Sequence, residues 1–158
     1  MANSDIIPHY KNLTEQSVSI LDSYKHWFRR PLLEIKDDSD AQIAQSLFEA
    51  PMVVLAAENS SDPFLNYGNL QALKLWETTW NELLKTRGRE TAEVIEQKQR
   101  ASFLSQVNQK GYIDNYEGIR ISKTGKRFWI KNVKVWKVFD KFKNNIGQAA
   151  TFSHWEYL

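Results

Sequence analysis

The chain has 158 residues, 42% of them apolar and 25% charged, with a net charge of +2. That is one ordinary domain, long enough to bury roughly 70% of its unfolded surface without a metal or disulfide staple. Cysteine is absent, which excludes disulfides, Cys-ligated zinc, iron–sulfur clusters, thiol nucleophiles and cysteinyl cofactor adducts.

Residues 1–50 read as helical. Leu13, Ser17, Leu21, Tyr24 and Phe28 recur at helix spacing, flanked by Ile20 and Trp27. Asn12 with Glu15 resembles a capping box, and Pro31 is expected to end the helix. Asp37, Asp38, Ser39 and Asp40 then cap a second helix whose apolar face is Ile43, Ala44, Leu47 and Phe48, stopped by Pro51. Met52–Ala57 is the longest apolar run and fits a strand buried on both faces. It is far shorter than the ~20 residues that span a bilayer. A turn cluster, Asn59 to Pro63, leads to a short strand, Phe64–Tyr67. Leu70, Leu73, Trp76, Trp80, Leu83 and Leu84 give helical spacing, interrupted at residues 86–89. A longer helix covers about Glu90 to Lys110, carrying Val94, Ala101, Phe103, Leu104 and Val107, with Gly111 just past its end. Strands follow at Tyr112–Ser122, Arg127–Phe139 and Gly147–Tyr157, the first two joined by a turn around Gly125.

Both parities of Arg127–Phe139 are bulky. Phe128, Ile130, Trp136 and Val138 fall on one face; Trp129, Val133, Val135 and Phe139 fall on the other. A sheet with helices on one side would leave the second set wet. Either the N-terminal helices fold back over that outer face, or the same face makes a homodimer. The stretch Gly118–Ile146 holds nine basic residues against Asp140 alone, a local +8. With no helix-turn-helix and no RNA-binding signature, lysines guarding a solvated sheet edge are the expected reading, and nucleic acid is disfavoured.

The order β-β-α-α-α-β-β-β over about 105 residues is that of the PAS fold, an α+β architecture. It implies a five-stranded antiparallel sheet with helices on one face, here with an N-terminal helical extension. The sequence more narrowly resembles the MEKHLA family of PAS-like domains. The resemblance rests on Asn66-Tyr67-Gly68-Asn69, Trp76-Glu77, Gly111-Tyr112, Tyr116-Glu117-Gly118-Ile119-Arg120-Ile121-Ser122, Gly125-Lys126-Arg127-Phe128, Val135-Trp136, Gly147-Gln148-Ala149-Ala150 and Trp155. The Met-Glu-Lys-His-Leu-Ala string that names the family is missing, so the chain resembles its stand-alone bacterial branch. This divides the chain into an extension, residues 1–50, and a PAS-like domain, residues 51–158.

The resemblance implies a pocket between sheet and helices. Leu73, Trp76, Leu104 and Val107 would face Phe128, Ile130 and Phe152, with Asn66, Asn69, Tyr116 and Arg120 as polar anchors. Arg120, if buried, needs a partner such as Glu117 or Glu77; facing a cavity, it would hold a ligand carboxylate or phosphate; exposed, it is a surface arginine. The alternative for the aromatic set is a filled core. Without cysteine, light-sensing flavin adducts are excluded. Haem would want a histidine on the long helix, which has none; His9, His26 and His154 read as ordinary. No phosphate-binding glycine loop, catalytic serine motif or metal-spaced carboxylate set is present, and Glu90/Glu93 read as helix-start acids. The expectation is a non-enzymatic sensing or binding module without a resident cofactor. It would be cytoplasmic, since MANSDIIPHY lacks signal-peptide features, and it would signal through a separate output protein. Its ligand would be small and apolar or amphipathic. A protein-interaction or dimerisation module is the alternative, and an unrecognised enzyme the third.

Overall fold

A computed structural model describes residues 10–36 and 39–158. His9, Asp37, Asp38 and the Asn12 side chain of the expected capping box lie outside the described residues. A 3-10 turn, Tyr10–Leu13, leads into α1, Thr14–Phe28. The buried stripe of α1 is narrower than its leucines suggest: Ser17, Ile20, Ser23 and Tyr24 point inward, and Leu21 sits on the flank. Small serines on that face let the helix come close to the sheet, and Phe139 N donates to Ser23 Oγ at 2.8 Å. Arg29, left-handed at φ 64°, ends the helix ahead of Pro31, its N–H bonded to Lys25 O. The second helix, α2, spans Asp40–Phe48 with Ser39 at its N-cap position, and buries Ala44, Leu47 and Phe48.

Strands β1, Val53–Glu58, and β2, Leu65–Gly68, form a hairpin. The expected single helical run after it divides into α3, Leu70–Leu75, and α4, Trp80–Leu83. Glu77 at φ 54° breaks the run, and Thr79 caps the second helix through Glu82 N. After a 3-10 turn, Gly88–Thr91, α5 spans Val94–Lys110 and closes on Gly111 at φ 94°. Then come β3, Tyr112–Ile121, and β4, Arg127–Phe139. The expected last strand is two: β5, Asn145–Phe152, and β6, His154–Tyr157. The chain shifts at Ser153 so that β5 pairs with β1 and the C-terminal half of β4, while β6 pairs with the N-terminal half of β4. The antiparallel order is β2-β1-β5-β4-β3, with β6 beside β4.

Strict alternation along β4 does not hold. Tyr116 pairs with Val133 and Gly118 with Ile130, so β4 carries an extra residue there, with Asn132 at φ 54°. A compensating bulge in β3 places Asn115 at φ 58°. Side chains beyond the bulge change face. Phe128, Ile130, Val133 and Val135 therefore share the inner core with Val53, Trp76, Val107 and Phe152. Trp136 and Val138 turn to the outer face, where they meet Ile20, Tyr24, Leu47 and Tyr67. The N-terminal helices thus cover the outer face within the chain, and Trp129, left beyond them, lies under Lys131 at 4.2 Å.

Candidate ligand cavity

Helix α5, VIEQKQRASFLSQVNQK, has too few apolar residues to seat on a sheet. Val107 is its one fully buried side chain. It leans on β3 and β4 and is tied to β5 by polar links, Gln148 Nε2 donating to Asn108 Oδ1 at 2.9 Å and to Leu104 O at 3.5 Å. Between α5 and the inner face remains a cavity of about 550 Å³. This lies within the ~300–1,000 Å³ usual for small-molecule sites. Leu55, Trp76, Leu104, Ile130, Val133, Val135 and Phe152 supply apolar wall; Gln97, Arg100, Tyr116 and Arg120 supply polar wall; residues 58–63, Asn108 and Gln148 form the rim.

Trp76 is 5% exposed and packs edge-on against Phe128 at 5.1 Å and Phe152 at 6.1 Å. Its indole Nε1–H is buried without an acceptor among the described residues. A buried donor in that state is costly unless a ligand or water completes it. The ring is held from behind: Lys123 N donates to Trp76 O at 3.0 Å, and Glu77 accepts from Ser122 Oγ at 2.8 Å, from Thr124 Oγ1, and from Lys126 Nζ at 3.2 Å. Those hydroxyl bonds hold the Glu77 carboxyl below its ordinary range, with Lys126 contributing less. The Trp76-Glu77 pair therefore fastens the end of α3 to the β3–β4 hairpin.

Arg120 is 4% exposed. Neither carboxylate foreseen for it is its partner. Its Nη1 donates to Ile119 O at 2.8 Å and its Nη2 to the Tyr116 hydroxyl. Tyr116 in turn reaches Gln99 Oε1 at 3.4 Å. Gly118 makes the space: a Cβ there would lie 2.9 Å from Arg120 Nη1 and 3.1 Å from the Tyr116 hydroxyl. Arg100, half-buried, is seated likewise, its Nη2 2.7 Å from where a Gly88 Cβ would stand. It makes no hydrogen bond or ion pair among the described residues. Burial first, and the Arg120 charge second, lower its guanidinium to about 10, so it remains a cation at neutral pH.

Of the residues expected to line a pocket, the cavity wall contains Trp76, Leu104, Tyr116, Arg120, Ile130 and Phe152. Phe128 and Val107 lie behind them in the same core cluster. Leu73 belongs elsewhere, packed with Phe48, Leu65 and Leu83. Asn69 is a fully buried structural joint, not an anchor: Oδ1 accepts from Val54 N at 3.0 Å and Ala72 N at 3.1 Å, and Nδ2 donates to Met52 O at 2.7 Å and Leu47 O at 3.4 Å. Asn66 sits by α1, its carbonyl taking a bond from Gln16 at 3.2 Å and its own Oδ1 buried without a partner among the described residues. Sequence reasoning missed Arg100 and Gln97. Their signal is the i, i+3, i+4 series Gln97, Arg100, Ala101, Leu104, Asn108, a helix face too polar for core. Glu93 instead pairs with Arg127 at 2.5 Å, and Glu90 accepts from Arg87 N at 2.9 Å. His154 is exposed on β6, away from the cavity, and His26 is exposed against Trp27.

The local +8 is dispersed. Lys126, Arg127, Lys131, Lys134 and Lys141 pair with Glu77, Glu93, Glu156, Asp114 and Glu15 from other segments. Among the described residues no helix is long and apolar enough to cross a membrane.

Solved structures share this fold. A PAS domain from Colwellia psychrerythraea superposes with a TM-score of 0.62 at 13% identity, covering 74% of this chain and 94% of that one. A light-oxygen-voltage domain studied with a flavin analogue gives 0.57 at 14% identity, covering 73% and 84%. An RNA-binding light-oxygen-voltage receptor gives 0.63 at 13%, covering 78% of this chain and 35% of that one. At such identities the likeness establishes the PAS fold. No curated protein matches the sequence. The profile of the MEKHLA domain matches residues 14–157, taking in α1 and α2 as well as the sheet, and the chain belongs to the MEKHLA-domain family.

Proposed function

We propose that this protein is a small-molecule-binding sensory module of the cytoplasm that passes its signal to a separate protein and performs no catalysis. One observation carries the reading: a cavity of about 550 Å³ on the inner face of the sheet, with the Trp76 ring in its largely apolar wall. The Trp76-Glu77 joint supports a signalling role. A ligand that moves the indole pulls on the bonds fastening the β3–β4 hairpin, since both belong to one short segment. A second reading, a protein-interaction module, draws support from Val94 and Ile95, 84% and 81% exposed at the start of α5.

Native mass spectrometry of the purified full chain, paired with tryptophan fluorescence, tests the proposal. The expected result is a non-covalent adduct lost on denaturation, or an apo protein whose Trp76 emission shifts on ligand addition. Leu104→Trp, which projects a larger ring into the cavity, should weaken both. The protein should be colourless beyond the aromatic band. A stoichiometric flavin or haem would refute the reading, and binding untouched by Leu104→Trp would move the ligand elsewhere.

A further inference from the structure

Resting on the reading of the cavity as a ligand site, we propose that it selects organic anions: an apolar body against Trp76, Leu104 and Phe152, and an oxyanion head, carboxylate or phosphate, against the guanidiniums of Arg100 and Arg120. Four cations line the cavity, Arg89, Lys98, Arg100 and Arg120; Arg89 pairs with Asp62, whereas among the described residues neither Arg100 nor Arg120 makes an ion pair. Three carboxylates of the neighbouring segments are engaged elsewhere. Asp62 is held by Arg87 at 3.4 Å and by Arg89 at 3.2 Å. Glu58 turns back into its own loop, accepting from Phe64 N at 3.1 Å and Ser60 Oγ at 3.3 Å. Glu77 is bound by the hairpin.

Burying a charge without a counter-charge is expensive, and two like charges near each other make it more so. The lowered value of Arg100, about 10, is that cost seen from one partner. A bridging water cannot neutralise it, whereas an oxyanion can, through charge-assisted bonds from both forks. Arg120 uses Nη1 and Nη2 on Ile119 O and Tyr116, and a guanidinium has five N–H donors, so donors remain. Gly88 and Gly118 give both guanidiniums their places without occupying the space between walls.

The test titrates the full chain with octanoate, octyl phosphate and 1-octanol, which share an alkyl body and differ in head group, read by calorimetry and tryptophan fluorescence. At least one anion should bind about tenfold or more tighter than 1-octanol, as a charge-assisted pair warrants. Whichever anion is preferred assigns the head as carboxylate or phosphate. The preference should fall to near parity in Arg100→Gln, a partly buried site whose fold circular dichroism can verify, and in Arg120→Gln if that buried variant folds. Equal binding of 1-octanol and the anions, or an anion preference that survives Arg100→Gln, overturns the inference while the small-molecule reading stands. Failure of all three probes, with Trp76 emission unmoved, overturns both.

Discussion

On the outer face of the sheet, α1 brings Ile20 and Tyr24 down onto Trp136, whose Nε1 donates to Ile20 O at 3.3 Å, and Trp27 closes the end by donating to Lys137 O at 3.0 Å. On the inner face, α5 buries Val107 alone and leaves about 550 Å³ open. The strands offer large apolar side chains to both sides, so the strands do not explain the difference. The covering helix does. Serines on the buried side of α1 permit close approach and let Tyr24 and Trp136 interlock, ring centroids 5.1 Å apart. Gln97, Arg100 and Asn108 on the facing side of α5 cannot be pressed into an apolar sheet without stranding their polar groups, so the helix stands off. One face carries stability, and the other keeps room.

Removing the outer cover should do the most damage. A chain starting at Pro51 bares Trp136, Val138 and Tyr67, and should lose cooperative unfolding and solubility. Size-exclusion chromatography showing a soluble monomer with an unchanged urea midpoint would refute the division of labour. Next, Trp136→Ala should cost ~3–5 kcal/mol by chemical denaturation, because a fully buried ring and its partners leave a cavity that cannot collapse.

A matched pair of additions sharpens the contrast. Ile20→Trp overpacks the filled face and should cost ~1–3 kcal/mol, whereas Leu104→Trp enters open space and should leave the midpoint within about 1 kcal/mol of the parent. Equal losses would mean that the inner cavity is not available to a side chain. Smaller still, Gly125→Ala in the β3–β4 turn should cost about 1 kcal/mol. Gly125 has φ 92° and nothing within 4 Å of an added Cβ, so backbone conformation is the whole effect.

The smallest effect is a pH dependence. The Glu77 carboxyl is lowered in the folded state, so its contribution is present above its ordinary value of 4.5 and is lost as pH falls through the folded value. The midpoint difference between the parent and Glu77→Gln should therefore shrink as pH drops from neutral to about 3. A constant difference would mean that the hairpin bonds do not depend on the charge.

Much of the fold was legible because it is written in local chemistry. The bounds of β4, the glycine stop of α5 and the turn at Gly125 each follow from residues within a few positions. The split at Ser153 was not legible, since Phe152 and Trp155 both favour a strand and only the length of β4 available for pairing divides them. Nor was the exclusion of Asn66 and Asn69 from the cavity. A motif asparagine reads alike whether it faces a ligand or, like Asn69, ties β1, α3 and the end of α2 together.

The PAS order of elements, the amphipathic helices ahead of it and the absence of every thiol-based chemistry are legible in the chain alone, since they depend on periodicity, turn residues and composition. Which side of the sheet Val133, Val135 and Trp136 serve is settled by strand pairing in the folded chain. Asn132 and Asn115 bulge in response to a partner strand, and each bulge reverses the alternation beyond it. Folding is what brings Arg100 and Arg120 to one cavity with no ion pair to either among the described residues. A cavity and an unpaired charge are properties of what neighbouring elements fail to supply, and no single stretch of chain records that.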